Sequence, residues 1–169
     1  MQIAIFTTGG TIDKVYFDAK GNYQIGSPMV RELLVHARLP EMPTITELLR
    51  KDSLEMTDAD RQLVVDHCRS CPEQRLVVTH GTDTMAETAR ALHDAATGKT
   101  VVLTGAMVPY AFGSSDGLFN LGSALSFAQV LPPGVYVAMN GRCWPGDRVR
   151  KNRDTGVFEE VLGPPSPIC

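Results

Sequence analysis

Two threonine-rich turns are the segments of this sequence best suited to chemistry. One spans residues 7–13 (TTGGTID), the other spans residues 79–84 (THGTDT), and each follows a short apolar run typical of a buried strand. Thr11 in the first turn and Thr82 in the second are candidate hydroxyl nucleophiles, and capping of a following helix is the alternative role for both. Because turns that follow parallel strands share one edge of a sheet, where ligands bind, we expect the two threonines to face one crevice.

A nucleophilic threonine needs a base or a cation beside it, because its hydroxyl pKa lies far above neutral. His80 sits at the end of a predicted strand, where a lone histidine is most often a packed core residue. The other histidines lie on predicted helices that nothing places near the crevice: His36, His67 and His93. A partly buried lysine can also accept a proton, since desolvation disfavours its charged form. The residues by themselves leave the choice of base open.

Strand-like and helix-like segments that would position these turns alternate along the chain, in the order β-α-β-α-β-α-β-α-β. The predicted strands cover residues 2–7, 43–49, 75–79, 99–104 and 135–139. Three of the four predicted helices cover residues 28–38, 84–96 and 116–130. The other, second along the chain, opens with a capping box at residues 57–60. Runs of Val, Ile and Leu without polar alternation are typical of strands covered on both faces. The sequence therefore predicts an α/β fold: a single domain with a doubly wound, mostly parallel sheet of about five or more strands and helices on both faces.

Composition narrows the class of protein. The chain has 169 residues, 43% of them hydrophobic and 21% charged, which suits one substantial core. Its net charge of −3 argues against a nucleic-acid partner, although a basic cluster occupies residues 148–153. No apolar run reaches the roughly 20 residues of a membrane span, and the first residues do not resemble a signal peptide. We expect a cytoplasmic protein that binds neither nucleic acid nor membrane.

Four cysteines raise the question of a metal or redox site. Cys68 and Cys71 form a C-x-x-C pair, which is typical of half a metal site or of a redox pair. The remaining two, Cys143 and Cys169, provide no second pair of that spacing. The glycines of the first turn also lack the spacings of nucleotide-binding loops. We therefore predict free thiols, no metal and no cofactor.

Four motifs resemble, in order and spacing, those of the bacterial-type L-asparaginases and glutaminase-asparaginases. They are TGGTI at residues 8–12, THGTDTMAET at 79–88, TGAMVP at 104–109 and SDGLFNL at 115–121. The resemblance runs from Gln2 to about Phe158 and corresponds to the amino-terminal catalytic domain of those enzymes. It implies an amidohydrolase that converts L-asparagine to L-aspartate and ammonia through a threonine nucleophile and a β-aspartyl acyl-enzyme, with weaker or no glutaminase activity.

The resemblance also implies catalytic roles. Thr11 matches the family's primary nucleophile, and Tyr23 matches the tyrosine of a mobile lid that hydrogen-bonds to it. Thr82 matches the second threonine, and Lys151 matches its basic partner. Asp83 then closes a triad with Thr82 and Lys151 and binds the α-ammonium of the substrate. Without the resemblance, a lysine in a basic run would be read as part of a solvated face.

A substrate-binding set follows from the same resemblance: Gly10, Ser53, Gly81, Thr82, Asp83 and Ala106. Ser53 is expected to hold the α-carboxylate, and the Ala106 carbonyl to accept a hydrogen bond from the leaving amide nitrogen. Backbone N–H groups after Gly81, at a predicted helix N-terminus, are suited to stabilise an oxyanion.

The sequence departs from the family pattern in three respects. We expect residues 1–158 to form the catalytic domain and residues 159–169 a proline-rich tail, without the second, smaller domain usual in the family. Leu54 and Val108 stand where the family commonly has a polar residue and an arginine. We therefore expect a naturally short enzyme that completes its site as a homo-oligomer, a dimer or higher. The alternatives are a fragment, or a catalytically impaired asparagine-binding or amidotransferase-associated domain.

Overall fold

The computed structural model describes residues 2–16, 23–95 and 97–161, which form ten strands and four helices. The strands are β1 (Ala4–Gly9), β2 (Lys14–Tyr16), β3 (Tyr23–Ile25), β4 (Thr44–Lys51), β5 (Arg75–Thr79), β6 (Thr100–Thr104), β7 (Gly134–Met139), β8 (Arg142–Pro145), β9 (Val149–Lys151) and β10 (Phe158–Glu160). The helices are α1 (Val30–His36), α2 (Asp58–Ser70), α3 (Met85–Asp94) and α4 (Gly117–Val130). Most of the predicted tail, residues 162–169, lies outside the described residues.

Six strands build the central sheet, in the spatial order β4-β1-β5-β6-β7-β8. The pairs from β4 through β7 are parallel, and β8 is added antiparallel at one edge. The connection after β1 leads outward to β4, whereas the next connection returns to the other side of β1, at β5. The carboxyl ends of β1 and β5 therefore flank the point where the winding reverses, and this is where open α/β sheets bind ligands.

The core lies on both faces of this sheet. On one face, strand residues such as Phe6 and Val78 pack with Val64 of α2 and Leu92 of α3. On the other face, alternate strand residues pack with the apolar residues of α1 and α4. The strands are apolar on both sides because both are covered, as the unbroken Val, Ile and Leu runs predict. The doubly wound, mostly parallel α/β fold is thus confirmed.

Helix α2 illustrates how the sequence sets the element ends. The predicted capping box is present: the Thr57 side chain accepts from the Asp60 N–H, and the Asp60 carboxylate accepts from the Thr57 N–H. At the other end Lys99 is buried and its Nζ donates to the carbonyls of Cys68 and Arg69 at 2.8 and 3.1 Å, and also to Cys71. A cation at a helix C-terminus satisfies carbonyls that have no partner within the helix.

Several element ends differ from those predicted, and some strands were not predicted. Strand β1 continues to Gly9, and α1 begins at Val30 rather than near residue 28. Strand β8 follows β7 through Asn140 and Gly141, which both have positive φ, the conformation of a two-residue hairpin turn. Two further antiparallel pairs, β2 with β3 and β9 with β10, have only three residues in each strand, too few to give a periodic signal.

Candidate active site

Three loops meet at the carboxyl edge of the sheet, one after each of β1, β4 and β5. A Cβ atom added to Gly10 would lie 2.4 Å from the Gly81 Cα, and one added to Gly81 would lie 2.6 Å from the Ser53 Oγ. The Gly10 N–H donates to the Lys51 carbonyl at 3.1 Å. The absence of side chains at Gly10 and Gly81 lets the backbones touch. The structure thus brings Gly10, Gly81 and Ser53 into one cluster.

Thr82, Asp83 and Lys151 form a hydrogen-bonded triad beside this cluster. Lys151 ends strand β9, yet its Nζ lies 2.8 Å from the Thr82 Oγ1 and 2.7 Å from the Asp83 Oδ1, both in the turn after β5. The Lys151 side chain is only 14% exposed, so this lysine does not belong to a solvated face. Because the ammonium donates to the threonine oxygen, the Thr82 hydroxyl keeps its own proton free for another partner.

Thr11 opens a short 3-10 turn, Thr11–Asp13, directly after β1. Gly10 precedes it with φ 90° and ψ −173°, a conformation that glycine adopts without strain. The side chains of Ile12 and Asp13 anchor the turn in the protein, whereas Thr11 is half-buried. Within the described residues the Thr11 hydroxyl has no hydrogen-bond partner. It therefore remains available to a ligand in the crevice.

Asp13, next along the same turn, is a buried carboxylate with one unsatisfied oxygen. Its Oδ1 accepts from the Met29 N–H at 2.8 Å, whereas its Oδ2 has no partner in the described part of the chain. Burial raises the pKa of Asp13 to about 6, with a further upward contribution from Glu47, against the Met29 hydrogen bond and Arg50, which lower it. Neither its residue type nor its spacing distinguishes this aspartate from a residue of an ordinary turn.

Tyr23 lies at the start of β3 and is half exposed. Its hydroxyl donates to the Tyr16 hydroxyl at 3.3 Å, and this hydrogen bond raises the pKa of Tyr23 above its ordinary value. Among the described residues no hydrogen bond joins Tyr23 to Thr11. The expected pair of nucleophile and lid tyrosine is therefore not made in this conformation.

Ser53 is buried in the loop after β4, at the start of the 3-10 turn Ser53–Glu55. Thr84 fixes this loop, since its hydroxyl donates to the Ser53 carbonyl at 2.8 Å. The preceding Asp52 is paired with Lys14 at 2.8 Å. Burial acts to raise the pKa of Asp52, but the hydrogen bonds from Lys14 and the Leu54 N–H hold it below its usual value. Lys14 and Asp52 add a second ion pair near the cluster, which sequence reasoning missed.

Ala106 is buried in the turn after β6, and the motif that follows holds this turn in place. The Asp116 carboxylate accepts from the N–H groups of Met107 and Val108 at 2.9 and 3.1 Å. The Asn120 amide donates to the Gly105 carbonyl at 2.9 Å. Asp116 and Asn120 lie in the SDGLFNL motif, but the resemblance assigned them no role. Their contacts show that they fix the backbone on either side of Ala106.

His80 is fully buried and belongs to the core, as its position predicts. Its Nδ1 donates to the Gly81 carbonyl at 2.8 Å, so its Nε2 must be the acceptor for the Thr88 hydroxyl, also at 2.8 Å. Burial lowers the pKa of His80 to about 4, and the ring stays neutral at physiological pH. His80 thus supports the turn that carries Thr82 without facing the crevice.

The cysteines do not contribute to this cluster. Cys68, Cys71 and Cys143 are free thiols, as predicted, and burial raises the pKa of Cys68 to about 12. Cys169 lies outside the described residues. In residues 2–16, 23–95 and 97–161, no group of three or more His, Cys, Asp or Glu side chains is arranged to hold a metal ion. None of the helices in those ranges is both long and apolar enough to cross a membrane.

Comparisons with known proteins agree on one family. The model of the asparaginase N-terminal domain matches residues 2–160. L-asparaginase 1 of Escherichia coli K12 is 34% identical over 176 residues, which cover 98% of this chain and 52% of the relative. The solved thermostable L-asparaginase from Thermococcus kodakarensis has a TM-score of 0.84 at 31% identity and is matched over 97% of this chain and 52% of its own. The glutaminase-asparaginase of Pseudomonas fluorescens biotype A is 29% identical over 180 residues, covering 96% of this chain and 49% of the relative. The chain thus spans about half the length of the relatives it matches.

Proposed function

The chain belongs to the asparaginase family, matching its N-terminal domain, and from that premise we propose that it hydrolyses L-asparagine to L-aspartate and ammonia. The observation that carries this proposal is the triad, in which one lysine lies within 2.8 Å of both the Thr82 hydroxyl and the Asp83 carboxylate. A hydroxyl held by a cation, and left free to donate, is suited to proton transfer during acyl transfer.

In the first step we assign the attack to Thr11, whose hydroxyl is unpartnered in the described residues. Its Oγ1 forms a bond to the side-chain amide carbon, and the hydroxyl proton passes through Thr82 to the amide nitrogen. The carbon–nitrogen bond then breaks and ammonia leaves, with the β-aspartyl group esterified to Thr11. Backbone N–H groups of the turn before α3 stabilise the transient oxyanion.

In the second step a water molecule replaces ammonia and attacks the ester carbon. Thr82 takes a proton from this water and returns one to the Thr11 oxygen, so that aspartate is released and both threonines are restored. Lys151 holds Thr82 in the same orientation in both steps. Thr82 can therefore pass a proton to the departing ammonia in the first step and take one from the incoming water in the second.

Recognition of the amino acid requires one group for each charge of its zwitterion. Asp83 has a carboxylate that is 37% exposed beyond its contact with Lys151, which suits it to bind the α-ammonium. Ser53, in contact with the Gly81 backbone, is the assigned partner of the α-carboxylate. The Ala106 carbonyl is the acceptor for the side-chain amide. The side chain of glutamine is one methylene longer than that of asparagine, and we expect glutamine to be turned over more slowly.

We further propose that the site is completed in a homo-oligomer. Leu54 follows Ser53 directly and is 64% exposed, an apolar side chain next to an assigned substrate-binding residue. Contact with a second copy would cover this side chain and close the pocket over the substrate.

Ammonia release from the purified protein tests the proposed function. We expect turnover of L-asparagine with a kcat/KM above that for L-glutamine. Thr82→Ala should lower kcat by orders of magnitude with the fold retained, whereas the exposed strand variant Thr46→Ala should behave like the wild type. Asparagine binding without ammonia release would favour a binding domain instead, and equal or higher kcat/KM for glutamine would overturn the expected preference.

A further inference from the structure

Three exposed aromatic side chains pack against one another beside the candidate active site. Tyr16 is 61% exposed, Tyr23 50% and Phe112 38%. The ring centroids lie 4.9 Å apart for Tyr16 and Tyr23, 5.2 Å for Tyr16 and Phe112, and 5.9 Å for Tyr23 and Phe112. These separations are those of favourable aromatic pairs. The cluster joins two segments that are distant in sequence, the β2–β3 pair and the loop after β6.

The β2–β3 pair depends on contacts of this kind. Each strand has three residues, and a two-stranded ribbon is marginally stable by itself in water. One end of the pair is secured where the Gly26 N–H donates to the Asp13 carbonyl at 2.7 Å. Tyr16 and Tyr23 face each other at the opposite end. The hydrogen bond between Gly26 and Asp13 therefore secures one end of the β2–β3 pair, and the aromatic cluster secures the other.

Phe112, in contrast, stands on a well-fixed loop. It ends the 3-10 turn Tyr110–Phe112, which is closed by Gly113 with a positive φ of 77°. The Tyr110 hydroxyl hydrogen-bonds the Nδ1 of His36 on α1, and the Tyr110 ring packs against the core. This turn also contacts the 3-10 turn that carries Thr11. Phe112 is thus carried by a turn that is anchored through Tyr110 and that adjoins the turn of the assigned nucleophile.

We propose that Phe112, together with Tyr16, is a positioning residue that holds Tyr23 against the loop that adjoins the Thr11 turn. The inference rests on the proposed function for its kinetic consequence, but the contact itself does not depend on turnover. Phe112 touches no reacting atom and acts through Tyr23. Loss of its ring leaves Tyr23 with one aromatic neighbour, Tyr16 on the adjacent strand, and removes the aromatic contact between the β2–β3 pair and the loop of Phe112.

The kinetic test is a double-mutant cycle in ammonia release from L-asparagine. Phe112→Ala should lower kcat/KM about tenfold, the factor expected for loss of well-packed aromatic pairs. Phe112→Tyr, which keeps a ring, should restore most of that loss. In a Tyr23→Phe background, Phe112→Ala should have an effect no larger than about twofold, because the residue it positions has already lost its hydroxyl. If the effects of Phe112→Ala and Tyr23→Phe on the free energy derived from kcat/KM were fully additive, the assignment would be overturned.

The structural test is hydrogen exchange of the β2 and β3 amides, which needs no activity. Phe112→Ala should speed exchange in these two strands and leave the central strand β5 unchanged. Phe119→Ala serves as the matched control, since it removes another exposed phenylalanine, on α4, outside the cluster. Unchanged β2 and β3 exchange in Phe112→Ala overturns the inference. A wild type that releases no ammonia overturns the proposed function alone, while the exchange result still decides the role of Phe112.

Discussion

At the scale of single residues, Lys151 and Arg150 are neighbours in one basic segment, yet one lies in the candidate site and the other on the surface. The two neighbours point to opposite sides of β9, because successive side chains of a strand alternate. Lys151 reaches into the triad, whereas Arg150 pairs with Glu159 on the adjacent strand β10. The sequence shows both as members of one charge cluster, and only the strand assignment separates them.

The first prediction follows from that division. Lys151→Met removes the cation that orients Thr82 while keeping much of the side-chain volume, and we expect kcat for asparagine to fall by about 10²–10⁴-fold. Arg150→Met, its neighbour on the exposed side, should leave kcat close to that of the wild type. Steady-state ammonia release measures both, with circular dichroism to confirm the fold. Equal kcat for the two variants would mean that Lys151 has no role in turnover.

A second prediction concerns Asp13 and pH. Its pKa is 3.8 when unperturbed and about 6 in the folded protein, so the fold favours the protonated form. The stability that this preference contributes is fully present below pH 3.8 and is lost as the pH rises through about 6. Asp13→Asn keeps an oxygen for the Met29 N–H and removes the charge. We therefore expect the variant to gain stability relative to the wild type between pH 4 and pH 7.5, by about 2–3 kcal/mol at most.

Urea unfolding at the two pH values measures this difference. If the free energy of unfolding of Asp13→Asn differed from that of the wild type by the same amount at pH 4 and at pH 7.5, Asp13 would not titrate between these pH values. Glu159→Gln provides a comparison, since this partly exposed carboxylate on β10 has its pKa lowered by a hydrogen bond from Arg150.

At the scale of elements, the site depends on how closely two strand-to-helix turns approach. The third prediction is that Gly10→Ala both unfolds the protein more easily and abolishes turnover, because the added Cβ would lie 2.4 Å from the Gly81 Cα. Gly98→Ala is the control for a positive φ without crowding: Gly98 has a φ of 71°, and nothing lies within 4 Å of a Cβ added there. We expect Gly10→Ala to cost about 1–3 kcal/mol more than the control in urea unfolding. If the two variants lost equal free energy of unfolding, the Gly10 and Gly81 turns would be able to move apart without cost.

The long elements and the site-bearing turns were predictable because each has a strong local signal. Strand β5 was predicted with the bounds observed, and the capping box of α2 was read from Thr57 and Asp60. Asn140 and Gly141 are a local signal of the same kind, typical of a hairpin turn, although β8, which follows them, was not among the predicted strands. Signals of this kind are local in sequence, so they define elements rather than contacts between elements.

The contacts that complete the candidate site were not predictable in the same way. The approach of Lys151 to Thr82 joins residues 69 positions apart, and from residue types alone this lysine resembles a solvated one. The stacking of Phe112 on Tyr16 likewise depends on where two unrelated loops lie in space. Sequence resemblance supplied the first of these pairs, and no local pattern indicates the second.

At the scale of the whole molecule, the proposed oligomer makes a fourth prediction. Light scattering should give a mass of at least two chains under assay conditions, and specific activity should fall on dilution below the dissociation range. Leu54→Asp, which places a charge in the proposed contact, should weaken association and lower activity together. A wild-type monomer with full activity would contradict completion of the site by a second copy.

The proposed acylation of a threonine of this chain by asparagine is tested most directly by trapping the ester. The wild-type protein is mixed with L-asparagine, quenched in acid within the turnover time, digested and mapped by mass spectrometry. We predict one aspartyl group on the peptide that contains Thr11 and none on that peptide from Thr11→Ala. The acylation of Thr11 would be contradicted if the wild type released ammonia while the aspartyl group lay on the Thr82 peptide, or while no peptide was acylated at any quench time.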